Sequence, residues 1–134
     1  MNSPRWVPPL FWLAAFYDGV LGLLFLVAPL SVFQFINVAP PNHVAYVQFP
    51  AALLLIFALM FLHIAHGPAT TRTLILYGIL LKVAYCGVAG GHWIASGIPG
   101  VWKVFVLIDA AMAALFAWAY AALPRSEPAP TSLE

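Results

Sequence analysis

Four long apolar stretches dominate this chain, and each is followed within a few residues by proline or glycine. They run from about Pro9 to Ala28, Val47 to Ala65, Thr71 to Trp93 and Val101 to Leu123. A helix needs roughly 20 apolar residues to cross the ~30 Å hydrocarbon core of a bilayer. The sequence therefore predicts an all-α integral membrane protein, built as an antiparallel four-helix bundle, with residues 1–123 forming a single transmembrane domain.

The composition indicates that a bilayer is the solvent of this domain. Only 7% of the residues are charged and 64% are hydrophobic, whereas a soluble domain carries about 25% charged residues. The net charge of +1 argues against a nucleic-acid partner, because phosphate binding needs clustered lysine and arginine. The single cysteine, Cys86, excludes an internal disulfide and a cysteine zinc site. Only Arg5 precedes the first apolar stretch, so we expect that stretch to be retained as a membrane helix.

The connections between the spans differ in length. Ser31 to Ile36 is apolar but too short to span, so we expect a half-turn or short helix that lies in the membrane interface. Gly97, Pro99 and Gly100 mark a short last connection, which predicts that the third and fourth spans form an antiparallel hairpin. Residues 124–134, with their proline, serine and glutamate content, are predicted to be a disordered tail.

The second span differs from the others in two respects. It carries no ionisable residue before His63, so we expect it to be the most lipid-exposed helix or the one that a partner covers. Pro50 is expected in its first turn, where the missing backbone N–H of proline is tolerated.

The basic residues of the short loops indicate an orientation. Arg5, Arg72 and Arg125 fall on one side of the predicted bundle, and Lys103 alone falls on the other. Lysine and arginine are in excess on the cytoplasmic side of membrane proteins. We therefore expect both termini in the cytoplasm of a multi-pass protein of a bacterial inner (plasma) membrane.

Three ionisable residues interrupt the apolar spans: Asp18 in the first, Lys82 in the third and Asp109 in the fourth. Counting at 1.5 Å per residue places them at similar depths near the middle of the bilayer. A charge at this depth is costly and usually faces the interior of the protein. The three residues also lie on faces of small residues, which are typical of helix–helix contacts in membranes. These faces are Ala14, Ala15, Asp18 and Gly22; Gly78, Lys82, Cys86 and Gly90; and Asp109, Ala113, Ala117 and Ala121.

The sequence leaves three interpretations of these charges open. Lys82 flanked by one or both carboxylates would form a ligand or proton site that relays protons, holds a coupling cation or binds a polar headgroup. A static ion pair would instead lock the bundle without further function, because removing one partner of a buried pair costs ~3–5 kcal/mol. A third interpretation pairs one charge with a partner subunit. Tyr17 and Tyr85 lie close enough in sequence to hydrogen-bond a charged group, although aromatic packing explains them equally well.

No motif of the sequence points to a catalytic site. It contains no phosphate-binding glycine loop, no HExxH motif and no nucleophile elbow, so an independent enzyme is the least favoured hypothesis. No metal site or cofactor is predicted; quinone and haem stay open as alternatives. The candidate ligands for a metal or haem are the four histidines, His43, His63, His66 and His92. His63 and His92 are expected at opposite ends of the bundle, which prevents them from holding one haem together.

Several of these features resemble the DoxX-like group of small four-span bacterial membrane proteins. The resemblance rests on Gly19-Val-Leu-Gly-Leu-Leu-Phe25 ending at Pro29, Arg72 before the third span, Lys82 within it, and Asp109 to Phe116. It covers roughly residues 10–122 and implies an antiparallel four-helix bundle. Some members of the group are associated with quinone-linked sulfur oxidation or serve as subunits of larger redox assemblies, and many have no assigned role.

Two functional hypotheses follow. The first is a non-catalytic membrane subunit or small-ligand-binding component, in a respiratory or quinone-linked complex, with a buried Asp-Lys-Asp cluster. The alternative is a small oligomeric transporter coupled to protons or cations, since four short helices enclose little cavity by themselves. The expected partners are the lipid bilayer and either further copies of this chain or a larger membrane complex.

Overall fold

The protein is all-α. The structure, a computed structural model, describes residues 3–125, so the predicted disordered tail lies outside the described residues beyond Arg125. The helices are α1 (Val7–Val27), α2 (Pro29–Phe35), α3 (Ala45–His66), α4 (Arg72–Ala95) and α5 (Gly100–Ala122), with no strand in the described range. Four of them, all except α2, are long and apolar enough to cross a membrane. The predicted all-α four-helix bundle is confirmed, and the length and composition of these helices fit a multi-pass membrane protein.

The long helices alternate in direction, so the start of α1 meets the end of α5. The rings of Trp6 and Trp118 lie 5.0 Å apart between their centroids. Arg72, the first residue of α4, donates from Nε to the carbonyl of Tyr120 at 2.9 Å, and its guanidinium lies 3.7 Å from the centre of the Tyr120 ring. These contacts hold the starts of α1 and α4 at one end of the bundle, together with the end of α5.

The three arginines lie at one end of the bundle, and Lys103 lies at the other. Arg5 precedes α1, Arg72 begins α4 and Arg125 follows α5, so all three belong to the end just described. Lys103 lies in the first turn of α5 at the other end, with its Nζ 5.5 Å from the centre of the Trp93 ring. The charge asymmetry predicted from the loops is therefore present in the fold.

The apolar segment after α1 forms a complete short helix. Pro29 restricts the residue before it to non-helical angles, and Ala28 ends α1 with φ −137° and ψ 55°. The same proline then begins α2, where it needs no N–H partner. Asn37 ends α2 with a φ of 56°: its N–H donates to the carbonyl of Gln34, and the N–H of Val38 donates to that of Phe33. This is the Schellman pattern of a helix C-terminus. Of the two expectations for this segment, a half-turn or a short helix, the structure shows the short helix.

The four long helices associate as two pairs, with α1 against α3 and α4 against α5. The α1–α3 backbones approach closely at Gly22, where an added Cβ would lie 2.7 Å from the carbonyl oxygen of Ala51. Gln48 adds a bond between these helices by donating from its amide to the carbonyl of Leu26 at 3.1 Å. The expectation that the second span is the most exposed helix is wrong, because a larger share of α3 than of α4 is buried, 22% against 17%. The alternative, that a partner covers the second span, stays a prediction.

Pro50 lies one turn deeper in α3 than predicted. The helix begins at Ala45 rather than near Val47, so Pro50 occupies the second turn. A proline inside a helix cannot donate to the carbonyl four residues earlier, which here belongs to Tyr46. The start of α3 therefore has one backbone hydrogen bond fewer than a regular helix.

A cluster of phenylalanines joins the two helix pairs near the arginine end. Phe11 of α1, Phe61 of α3 and Phe116 of α5 are all fully buried. The Phe116 ring stacks on Phe11 at 4.7 Å and lies 5.3 Å from Phe61. Gly78 of α4 permits this arrangement, because an added Cβ would lie 2.8 Å from Cε1 of Phe61. All four long helices meet at this point.

The predicted small-residue faces are only partly packed. The face of α1 is entirely buried: Ala14, Ala15, Asp18 and Gly22. In α4 the buried part stops at Lys82, and an added Cβ at Gly90 would contact nothing within 4 Å. In α5 the prediction is wrong beyond Asp109, because Ala117 and Ala121 are exposed while Phe116 and Ala119 are buried. The helix presents its larger residues to the phenylalanine cluster, which small residues would leave unfilled.

We expect Gly22→Ala to weaken the α1–α3 pair. The new Cβ would press against a backbone oxygen of Ala51, which cannot move without shifting the helix, and overpacking of this kind costs about 1–3 kcal/mol. The measurement is the free energy of unfolding in micelles. Gly87→Ala is the matched control, because an added Cβ at Gly87 meets nothing within 4 Å. Equal stabilities of the two variants would contradict the close approach of α1 and α3.

Candidate functional site

Lys82 joins both intramembrane aspartates in the centre of the bundle. Its Nζ donates to Oδ1 and Oδ2 of Asp18 at 2.9 and 3.1 Å, and to Oδ1 of Asp109 at 3.1 Å. Lys82 and Asp18 are each 1% exposed and Asp109 is 7% exposed. The predicted convergence of three charges from separate helices is confirmed; we call these residues the charge cluster.

Aromatic rings flank the ammonium of Lys82 on two helices. The Tyr17 ring of α1 lies with its centre 5.3 Å from Nζ, and the Phe61 ring of α3 lies at 5.9 Å. A cation within about 6 Å of a ring centre is attracted by the negative face of the ring. The ammonium is therefore held by carboxylates and by ring faces, which makes a buried positive charge tolerable here.

When all its members are ionised, the charge cluster carries one excess negative charge. One of its carboxylate oxygens, Oδ2 of Asp109, is accessible. The three N–H groups of Lys82 are matched by three carboxylate contacts. Across residues 3–125, no hydrogen bond involves Oδ2 of Asp109, yet every fully buried side-chain nitrogen or oxygen in that range has a partner. Oδ2 of Asp109 is therefore not sealed inside the protein. It is the acceptor that the cluster offers to another molecule.

A cavity of about 400 Å³ leads to the charge cluster from the end opposite the arginines. Asp18, Lys82 and Asp109 line its inner part, together with Tyr17 and Tyr85. Its walls are apolar and come from all five helices. Their residues include Leu21, Phe25, Phe33, Val47, Pro50, Leu54, Phe57, Leu81, Trp102 and Phe105. The cavity thus combines an apolar body with a small charged floor.

Aromatic contacts close the cavity between α1 and α5. The ring centres of Phe25 and Trp102 lie 6.2 Å apart, as do those of Tyr17 and Phe105. Phe33 of α2 lies over Trp102 at 6.4 Å, which places the short helix across the end of the cavity. On the α3 side, the cavity-lining residues Tyr46 and Leu53 are 69% and 38% exposed. The α3 wall therefore reaches the lipid-facing surface of the bundle.

The two tyrosines line the cavity, but neither hydroxyl bonds a charged group. Tyr85 donates from its hydroxyl to the carbonyl of Trp102 at 3.4 Å, which links α4 to α5. Tyr17 contacts Lys82 through its ring face, and its hydroxyl makes no hydrogen bond within residues 3–125. Of the two explanations open from the sequence, aromatic packing with a polar end fits better.

The histidines do not converge on a site. His63 and His66 lie in the last turn of α3 at the arginine end, and His92 lies in the last turn of α4 at the other end. His43 accepts the N–H of Ala45 at its Nδ1 and so caps the start of α3. Among residues 3–125, no group of three or more histidine, cysteine, aspartate or glutamate side chains is placed to hold a metal ion.

Two aromatic residues of α5 that line the cavity, Trp102 and Phe105, were not predicted as site residues. Trp102, in the first turn of α5, is half-buried against Phe25, Phe33 and Phe105. The spacing in the sequence could have identified them. Trp102 and Phe105 precede Asp109 by seven and four residues, which puts all three on one helical face. Aromatic residues on the same face as a buried charge indicate the direction in which that charge is accessible.

Comparison with known proteins adds no family to these observations. No family model matches the chain, and neither a curated protein nor a solved structure gives a significant match.

Proposed function

We propose that this protein is a non-catalytic, small-ligand-binding component of a membrane, which holds an amphipathic molecule in the cavity beside the charge cluster. The observation that carries this proposal is a cavity of about 400 Å³ with apolar walls and an accessible carboxylate oxygen at its floor. Ligand pockets in proteins typically enclose ~300–1,000 Å³ and combine apolar walls with a few polar groups. The polar end of the ligand contacts Asp109, and its apolar body lies against the aromatic walls.

The proposed setting is a respiratory or quinone-linked complex of a bacterial inner membrane, with both termini in the cytoplasm. The resemblance to the DoxX-like group supports this setting, and the three arginines at one end of the bundle support the orientation. Many exposed apolar side chains, including Phe35, Tyr77 and Trp118, are available for lipid or for further subunits. Native mass spectrometry after extraction in mild detergent tests the setting by detecting bound subunits or further copies of the chain.

We expect Leu81→Trp to displace the bound molecule. Leu81 lines the cavity on α4, whereas its neighbour Leu80 is 59% exposed and faces away from it. The larger indole fills space that the ligand needs, so the affinity falls by about tenfold or more, the equivalent of ~1.4 kcal/mol, and the occupancy falls with it. The measurement is native mass spectrometry of small molecules that co-purify with each variant.

Leu80→Trp is the matched control, with the same substitution one position away on the lipid-facing surface. It retains the wild-type occupancy. A molecule bound equally by both variants would contradict the assignment of the cavity as its site, and a wild-type protein that carries no small molecule would count against the proposed function.

A second candidate function is a small oligomeric transporter coupled to protons or cations. The excess negative charge of the cluster favours it, because such a charge near the middle of a bilayer is typical of ion pathways. Uptake or proton flux in proteoliposomes that stops in Asp109→Asn would support this candidate. Flux at the level of empty liposomes in the wild-type protein would remove it.

A further inference from the structure

We propose that the ligand of this cavity is a lipophilic organic cation: an amphipathic ammonium ion whose N–H group donates to Oδ2 of Asp109. This inference rests on the proposed function and adds the chemical class of the ligand. It follows from the hydrogen-bonding capacity of the floor, from the residual charge of the cluster and from the aromatic character of the walls.

The charge cluster at the floor of the cavity offers an acceptor rather than a donor. All three N–H groups of Lys82 are engaged by the two aspartates, and the hydroxyl of Tyr85 donates to a backbone carbonyl. Oδ2 of Asp109 is the carboxylate oxygen of the cluster that has no hydrogen-bond partner within residues 3–125. A head group that only accepts hydrogen bonds would find no free donor in the cluster and only the hydroxyl of Tyr17 beside it, whereas an N–H donor would find Oδ2 of Asp109 as its acceptor.

The charge balance of the floor selects a positive head group. Two carboxylates and one ammonium leave a formal charge of −1 when all are ionised, inside a region of low dielectric constant. A buried charge is tolerated when it is paired. A monovalent cation that contacts Asp109 would bring the site to neutrality, as a proton would, whereas an anionic head group would raise the excess to −2.

The walls favour an organic cation over a metal ion. A hard metal cation takes several oxygen ligands in place of its water shell, and the cavity presents few oxygens beside Oδ2 of Asp109. Its walls instead supply aromatic rings, including Tyr17, Phe57, Trp102 and Phe105. Ring faces attract desolvated ammonium groups. They also pack against an alkyl or aromatic body, which no inorganic ion has.

The route to the site is consistent with such a ligand. An amphipathic amine partitions into the bilayer with its apolar body among the acyl chains. The α3 wall of the cavity extends to that surface through Tyr46 and Leu53. A ligand that partitions into the bilayer would therefore approach the cavity beside α3.

The test uses three photoreactive probes with the same diazirine-bearing alkyl chain, ending in a primary amine, an alcohol or a carboxylate. The protein is reconstituted in nanodiscs of phosphatidylcholine, a lipid whose quaternary ammonium has no N–H to compete for Asp109. Saturable labelling is then mapped by mass spectrometry onto peptides from α3, α4 and α5. The amine is expected to label the cavity with a half-saturating concentration about tenfold or more below those of the other probes.

Asp109→Asn tests the role of Oδ2, because it removes the negative charge and the second acceptor oxygen of this side chain. The amide oxygen of asparagine can still accept from Lys82, and Asp18 still neutralises the ammonium, so we expect the variant to fold, as checked by gel filtration. The preference for the amine should fall to about twofold or less, because the site is then neutral. Asp109→Glu keeps the carboxylate and should retain the preference. If Asp109→Asn does not fold, the comparison of the three probes on the wild-type protein decides the question.

The outcomes separate this inference from the proposed function. Saturable cavity labelling by the alcohol or the carboxylate at least as strong as that by the amine would overturn the cationic ligand and leave the ligand-binding function standing. A folded Asp109→Asn variant with an undiminished preference for the amine would also overturn it. Absence of saturable cavity labelling by all three probes would instead overturn the proposed function itself.

Discussion

We expect Lys82→Met to lose about 3–5 kcal/mol of folding free energy, because two buried carboxylates then face each other without a cation. Methionine has a similar length and no charge, so the change removes the ammonium with little loss of volume. Lys82 is 1% exposed and contacts α1 and α5 from α4, so its loss leaves both carboxylates without their cation. The measurement is reversible unfolding in mixed micelles, followed by the far-ultraviolet circular dichroism signal.

The control for this prediction is a triple variant, Asp18→Asn, Lys82→Met and Asp109→Asn. Neutral groups replace the whole cluster, and the penalty for unpaired buried charges disappears, so we expect most of the lost stability to return. A triple variant as unstable as Lys82→Met would show that local packing, rather than charge pairing, dominates at this position. A Lys82→Met protein with wild-type stability would contradict the buried ion pairs altogether.

The second large effect is expected for Phe61→Ala, which opens a hole where all four long helices meet. Replacing a buried phenylalanine by alanine costs about 3–5 kcal/mol in soluble proteins. We expect about 3 kcal/mol here, the lower end of that range, because lipid offers the unfolded side chain an apolar environment and the loss is mainly one of packing. Phe49→Ala is the control on the same helix, since Phe49 is 67% exposed and its loss should change little.

Gly78 provides an independent check on the position of Phe61. An alanine Cβ at Gly78 would lie 2.8 Å from the Phe61 ring, so Gly78→Ala alone should cost about 1–3 kcal/mol by overpacking. On the Phe61→Ala background that cost should vanish, because the ring is gone. A double-mutant cycle measures this coupling, and strictly additive effects would show that the ring and the glycine do not touch.

The charge cluster could be predicted from the sequence because its physical cause is strong and local. Asp18, Lys82 and Asp109 interrupt long apolar runs, charges avoid lipid, and counting residues along the spans gives their depths. The spans themselves follow from hydropathy for the same reason. The lengths differ by only a few residues from those observed, as when α3 begins at Ala45 rather than near Val47.

The orientation of α5 and the cavity could not be predicted in the same way. In a helix that is apolar all round, no contrast between polar and apolar faces shows which side is packed. The small-residue pattern pointed to Ala117 and Ala121, whereas Phe116 faces the interior. The volume of the cavity depends on how far the two helix pairs stand apart beyond the phenylalanine cluster, and that separation is set by side chains distant in sequence.

The long separation between Asp18 and Lys82 has a consequence for biosynthesis. The two residues are 64 positions apart, so α1 leaves the ribosome with an acid whose partner has not yet been made. Gly22 allows α1 and α3 to associate early, but the acid in α1 stays without a countercharge until α4 is inserted. Arrival of α4 is therefore the step that pairs the acid of α1, and chains truncated before Lys82 retain an uncompensated acid.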